Sequence, residues 1–133
     1  MKWSDELKSE ATEQRNSSFA RYINKLLDNF NVMDIKEIEK RIVNFAKKRA
    51  SAKNFDLTPE LSYIHLTEEL GEVARQLSNK KIRPDLFDKE NLKEEIIDVI
   101  LEAIILANIC EADLDKEISQ KIDTLFKRYN FSE

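Results

Sequence analysis

A chain of 133 residues with one glycine and two prolines carries almost no turn chemistry. So few Gly and Pro leave little for the tight turns of a sandwich, a barrel or a hairpin-rich fold. Helices joined by short loops remain, and the chain is expected to be an all-α bundle of four to five helices. The balance of 36% charged and 41% hydrophobic residues is that of amphipathic helices, and the length suffices for one core without staples. Twenty-two Lys and Arg against 26 Asp and Glu give a net charge of −4, which argues against a generic nucleic-acid binder. The single Cys110 excludes an internal disulfide framework and a Cys-based zinc site, and is read as a small core residue. No apolar run in the first 30 residues resembles a signal peptide, and the longest apolar stretch, 96–110, is short and interrupted by charge. A cytoplasmic chain that neither spans nor needs a membrane is expected.

Spacing divides the chain into an N-terminal helical extension, 1–33, and a core, 34–133. Within the extension, Phe19, Tyr22, Ile23, Leu26, Leu27 and Phe30 form a helical stripe suited to packing on the core or on a second subunit. Asp34 followed by Glu37 predicts a capping box and a helix over 35–52. Thr58 before Pro59 predicts an N-cap and a helix over 59–77, followed by a basic connector at 78–84. Two further helices are predicted over 88–110 and 113–129.

The informative residues are carboxylates. On 59–77, Leu66, Leu70, Val73 and Leu77 make an apolar stripe, and Glu69 and Glu72 sit on its flank. The 88–110 segment is apolar almost all round, yet Asn91, Glu95, Asp98 and Glu102 form a polar stripe within it. Asp98, inside Ile-Ile-Asp-Val-Ile-Leu, is expected to be buried. Buried carboxylates cost several kcal/mol each unless paired or metal-bound, and no Lys or Arg lies on either stripe. Two i, i+3 acidic pairs on adjacent antiparallel helices would face each other and hold Mg²⁺ or Mn²⁺, a hard cation suited to oxygen ligands. Solvated helix faces are the plainer alternative. The apolar circumference of 88–110 exceeds what one small bundle covers, so a homodimer or larger homo-oligomer is expected.

Glu69-Leu-Gly-Glu72 followed by Glu95-Ile-Ile-Asp98 resembles the E-x-x-E and E-x-x-D motifs of MazG-like nucleotide pyrophosphohydrolases, the all-α NTP pyrophosphatases. The surrounding Leu-Thr-Glu-Glu-Leu-Gly-Glu-Val-Ala at 66–74 and Leu-Lys-Glu-Glu-Ile-Ile-Asp-Val-Ile-Leu at 92–101 match too. Lys121 and Arg128-Tyr129 resemble the Lys and Arg-Tyr of the dCTP-hydrolysing branch. The resemblance implies Mg²⁺-dependent hydrolysis of nucleoside triphosphates, deoxynucleotides among them, to the monophosphate and pyrophosphate. It implies Glu69, Glu72, Glu95 and Asp98 as catalytic metal ligands, with Lys121 and Arg128 at the substrate.

Some features depart from the dCTP branch. No Trp follows the Phe45-to-Arg49 segment, and Leu125 stands where an Asn is usual. Phe55 and Tyr63 are substitute stacking faces, with the core as their commoner fate. His65, one turn before Glu69, is a candidate phosphate contact, a hydrogen bond to Glu69 or exposure being the alternatives. Glu102, one turn beyond Asp98, is a candidate proton acceptor or substrate contact, an ordinary polar contact being the alternative. Gly71 lies mid-helix at a cost of about 1 kcal/mol relative to Ala, which close approach of another helix or of substrate would explain. Hydrolysis of another nucleotide pyrophosphate, such as phosphoribosyl-ATP, is a second enzymatic reading. A non-catalytic helical interaction or regulatory module that keeps the fold is the alternative of a different class.

Overall fold

The computed structural model describes residues 18–22 and 33–132. The chain divides into two compact units, Met1–Asp34 and Ile35–Glu133. In the first, residues 18–22 are helical with Phe19 and Tyr22 exposed; Ile23, Leu26, Leu27 and Phe30 of the predicted stripe lie outside the described residues. The second unit holds four helices, α1 (Ile35–Lys53), α2 (Pro59–Ile82), α3 (Lys89–Ile109) and α4 (Leu114–Tyr129), with a 3₁₀ turn at Pro84–Leu86. The described residues contain no strand, and none of their helices is long and apolar enough to cross a membrane.

Three of the four starts, those of α2, α3 and α4, have a local cause. The Thr58 hydroxyl accepts from the Leu61 N–H ahead of Pro59, and the Asp88 carboxylate accepts from the N–H groups of Glu90 and Asn91. Asp113 does the same for Lys116 at the head of α4. These caps satisfy amides that have no partner inside a helix.

The ends show how a chain with one glycine stops its helices. Asn54, Glu111 and Asn130 adopt left-handed backbone, at φ 55°, 61° and 53°. Beyond α1, the Phe55 N–H reaches back to the Ala50 carbonyl at 3.0 Å and the Asn54 N–H to Ser51 at 3.3 Å. The same paired bonds close α3, from Ala112 to Ala107 and Glu111 to Asn108, and α4, from Phe131 to Phe126 and Asn130 to Lys127. This is the Schellman closure, normally built on Gly.

Helix α2 runs five residues past its predicted end. Nothing between Leu77 and Ile82 breaks a helix, and Lys80 and Lys81 in its last turn suit the carbonyl end of the helix dipole. Pro84, which lacks the N–H, stops it. The predicted 78–84 connector therefore shrinks to Arg83 and the 3₁₀ turn.

Helices α2 and α3 pack along most of their length, and α1 lies against α3. Val43, Ala46 and Ala50 of α1, Ile104 and Ile105 of α3 and Leu114 of α4 form the buried core. Helix α4 packs on α1 and α3 but not on α2. The start of α1 is tied to this end of the unit, with Asn108 donating to Glu39 at 2.7 Å and Lys36 pairing with Asp115 at 3.4 Å.

Two burial expectations are corrected. Asp98 is exposed, because the face of α3 around it is uncovered: Ile96, Ile97 and Ile100 are 43, 52 and 48% exposed. Cys110 is exposed because it falls at the end of α3, in the turn leading to α4, rather than on the packed face.

Glu111 is the costliest of the left-handed caps, since its Cβ has no place there and it lacks the short amide that helps Asn. Glu111→Gly is expected to raise stability by about 0.5–1 kcal/mol in chemical denaturation, against little change for Asn54→Gly. Unchanged or lower stability of Glu111→Gly would mean that the αL geometry carries no strain.

Candidate metal centre

Helices α2 and α3 run antiparallel, so polar residues one or two turns apart on each helix meet in reverse order. From the linking turn outward the seam pairs Gln76 with Asn91, then gathers Glu69, Glu95 and Asp98, and ends beside His65 and Glu102. The i, i+3 spacing of Glu95 and Asp98 sets both on the side of α3 that faces Glu69.

Glu69, Glu95 and Asp98 each offer one carboxylate oxygen, and the three oxygens lie within 4.8 Å of one another. Glu69 and Glu95 are half-buried and Asp98 is exposed. Among the described residues none of the three has an ion-pair partner. Partial burial, then the charges of Asp98, Glu95, Glu102 and Glu68, raise the pKa of Glu69 above its ordinary 4.5. Trans oxygens around octahedral Mg²⁺ stand about 4.1 Å apart, so small side-chain rotations would close this group on the ion. Acceptor-only groups with no cation beside them fit a hard divalent metal.

The triad is held at one end by amides. Asn91 Nδ2 donates to Glu95 Oε1 at 2.9 Å, Gln76 Nε2 donates to Asn91 Oδ1 at 2.5 Å, and Gln76 Oε1 accepts from the Asp88 N–H at 3.1 Å. Gln76 is buried. This relay orients one carboxylate from the N-cap of α3, as outer partners commonly orient metal ligands.

At the other end sits a cation absent from both polar stripes. Arg49 of α1 donates through Nη1 to Glu102 Oε1 at 2.9 Å, and its Nη2 lies 3.3 Å from His65 Nδ1. The guanidinium carbon stands 5.6 Å from the Phe45 ring centroid, and Phe55 meets the His65 ring edge-on at 6.0 Å. His65 thus contacts Arg49 and Phe55. Glu102 is buried and ion-paired.

The other predicted residues are placed apart from the triad. Glu72 is half-buried and pairs with Arg75 on its own helix. Lys121 and Arg128 are exposed on α4, the helix that does not touch α2. Tyr63 is exposed. A Cβ at Gly71 would meet nothing within 4 Å, so no helix of the described unit makes the close approach anticipated there. Gln76 escaped the sequence reading, and Arg49 entered it only as the end of the Phe45-to-Arg49 segment, with no role of its own. The available signal for Gln76 was one polar residue in phase with Glu69 and Glu72; for Arg49, a cation flanking the Val43–Ala46–Ala50 stripe.

Without metal, ionised Glu69 works against folding. Its proton is held more tightly in the folded chain, so this contribution to stability falls as pH rises from 4.5 through the raised value, and the deficit persists above it. In EDTA at neutral pH, Glu69→Gln is expected to melt at or above wild type, the advantage vanishing as pH falls below 4.5. Melting well below wild type at neutral pH would show that favourable contacts hold the carboxylate instead.

No individual curated protein aligns significantly with this chain. Residues 57–131, more than half of the sequence, match the family model of the MazG nucleotide pyrophosphohydrolase domain. That stretch contains α2, α3 and α4 with the whole carboxylate seam. The chain belongs to the MazG nucleotide pyrophosphohydrolase domain family.

Proposed function

We propose that this chain is a Mg²⁺-dependent pyrophosphohydrolase of nucleoside triphosphates, deoxynucleotides included, acting in the cytoplasm on the free nucleotide pool. The observation that carries the reading is the convergence of Glu69, Glu95 and Asp98 from two helices, with no ion-pair partner among the described residues. Water adds to the α-phosphorus, the bond to the β-phosphate oxygen breaks, and monophosphate and pyrophosphate leave. A bound divalent cation supplies charge neutralisation at the phosphate oxygens and lowers the pKa of coordinated water; Mn²⁺ would serve in its place.

The chain's own residues divide the rest of the work. Glu69, Glu95 and Asp98 hold the ion, and Glu95 keeps its orientation through Asn91 and Gln76. Glu72 joins them by leaving Arg75, a partly exposed pairing of the kind worth about 0–1 kcal/mol. Lys121 and Arg128 are assigned to the triphosphate by family likeness, and His65 by its place one turn before Glu69. A homodimer or larger homo-oligomer covers the Ile96, Ile97 and Ile100 face of α3, whose exposure supports that assembly.

Pyrophosphate release across the common NTPs and dNTPs, with and without Mg²⁺, tests the reading. Equimolar monophosphate and pyrophosphate are expected only with Mg²⁺ or Mn²⁺. Asp98→Asn should lower the rate by more than the roughly 10–100-fold that outer partners of a metal site cost. Metal-independent release, or none with any nucleotide, would overturn it. Sedimentation at micromolar concentration should give a dimer or larger species, and a monomer would remove the assembly from the proposal.

A further inference from the structure

Glu102 is the carboxylate that the seam does not use. It lies one turn beyond Asp98 on the same stripe of α3, at the i, i+4 distance where helical side chains meet. Its charge is among those that raise the pKa of Glu69. Yet it is turned to a different partner: Oε1 accepts a hydrogen bond from Arg49 Nη1 at 2.9 Å, and Oε2 is buried with no hydrogen bond among the described residues. Arg49 is fixed in turn by the Phe45 ring beneath it and by His65 on α2. Its Nε is buried without a partner, so the guanidinium is held for this contact at some cost.

We propose that Arg49 is a positioning residue that keeps Glu102 out of the metal centre, so that the seam presents a defined number of carboxylates to the ion. The assignment rests on the divalent-metal reading given above. A carboxylate with three side-chain torsions, one turn from Asp98 and released from Arg49, is free to swing toward the triad. An added anionic oxygen ligand would tighten cation binding, because affinity at such sites follows ligand charge and number. The pairing therefore sets how tightly the centre grips its ion, and Arg49 acts through Glu102 without touching the ion.

The test is Mn²⁺ binding to the full chain without nucleotide, followed by electron paramagnetic resonance, with circular dichroism to check folding. Arg49→Met is expected to bind Mn²⁺ about tenfold more tightly than wild type. Arg49→Met with Glu102→Gln, a neutral pair of similar volume, should return to within about fivefold of wild type. Arg49→Met with Glu102→Asp keeps the charge but shortens the arm, and should lose most of the gain; a gain fully retained there would make it a field effect and overturn the assignment. A folded Arg49→Met that binds no more tightly also overturns it. If Arg49→Met does not fold, the neutral pair decides: binding within about fivefold of wild type supports the assignment, and a larger loss shows Glu102 to be a ligand already. Folded wild type that binds no Mn²⁺ would instead sink the metal reading itself, and this assignment with it.

Discussion

Mutual repulsion of carboxylates along the contact of α2 and α3 is the constraint that the rest of this unit is arranged around. Three acidic oxygens within 4.8 Å of one another push those helices apart at neutral pH. The packing that opposes them is modest, because the buried apolar residues of the described unit are six and two of them are alanines. What keeps the seam closed stands at its two ends. Gln76 ties α2 to Asn91 and to the Asp88 amide of α3, and Arg49 ties α1 to Glu102 while touching His65 of α2. The carboxylate cluster of this small helical unit is thus framed by an amide clamp and a salt bridge, with the charged groups left between them.

The helices themselves could be read because their starts are written locally. Thr58-Pro59, Asp88 and Asp113 are caps whose side chains bond amides two or three residues ahead, and such signals need no tertiary context. The end of α2 was harder to read. Asn, Lys and Lys are tolerated in a helix and in a loop alike, and only Pro84 imposes a stop. The burial of Asp98 was misjudged for a different reason. Apolar neighbours along a helix make a residue's surroundings apolar, but whether anything covers them depends on other elements, and here nothing in the described unit covers Ile97 or Ile100.

The site shows the same division. Glu69, Glu95 and Asp98 were visible because helical spacing and an antiparallel pair suffice to bring them together. Arg49 was not, since it meets Glu102 across 53 residues and comes from a helix whose own pattern looks ordinary. The pairing of Glu72 with Arg75 was local and could have been anticipated from i, i+3 charge spacing. Lys121 and Arg128 entered by family likeness alone, and the fold of the described unit sets them on a helix without contact to α2.

The amide relay has one more implication. Gln76 bonds both the side chain that steers Glu95 and the backbone at the head of α3, so fraying of that helix end also loosens Glu95. If the triad holds a cation as proposed, amide hydrogen exchange at the first turn of α3 would gauge its occupancy. An ion at the triad would slow exchange at residues that never touch it.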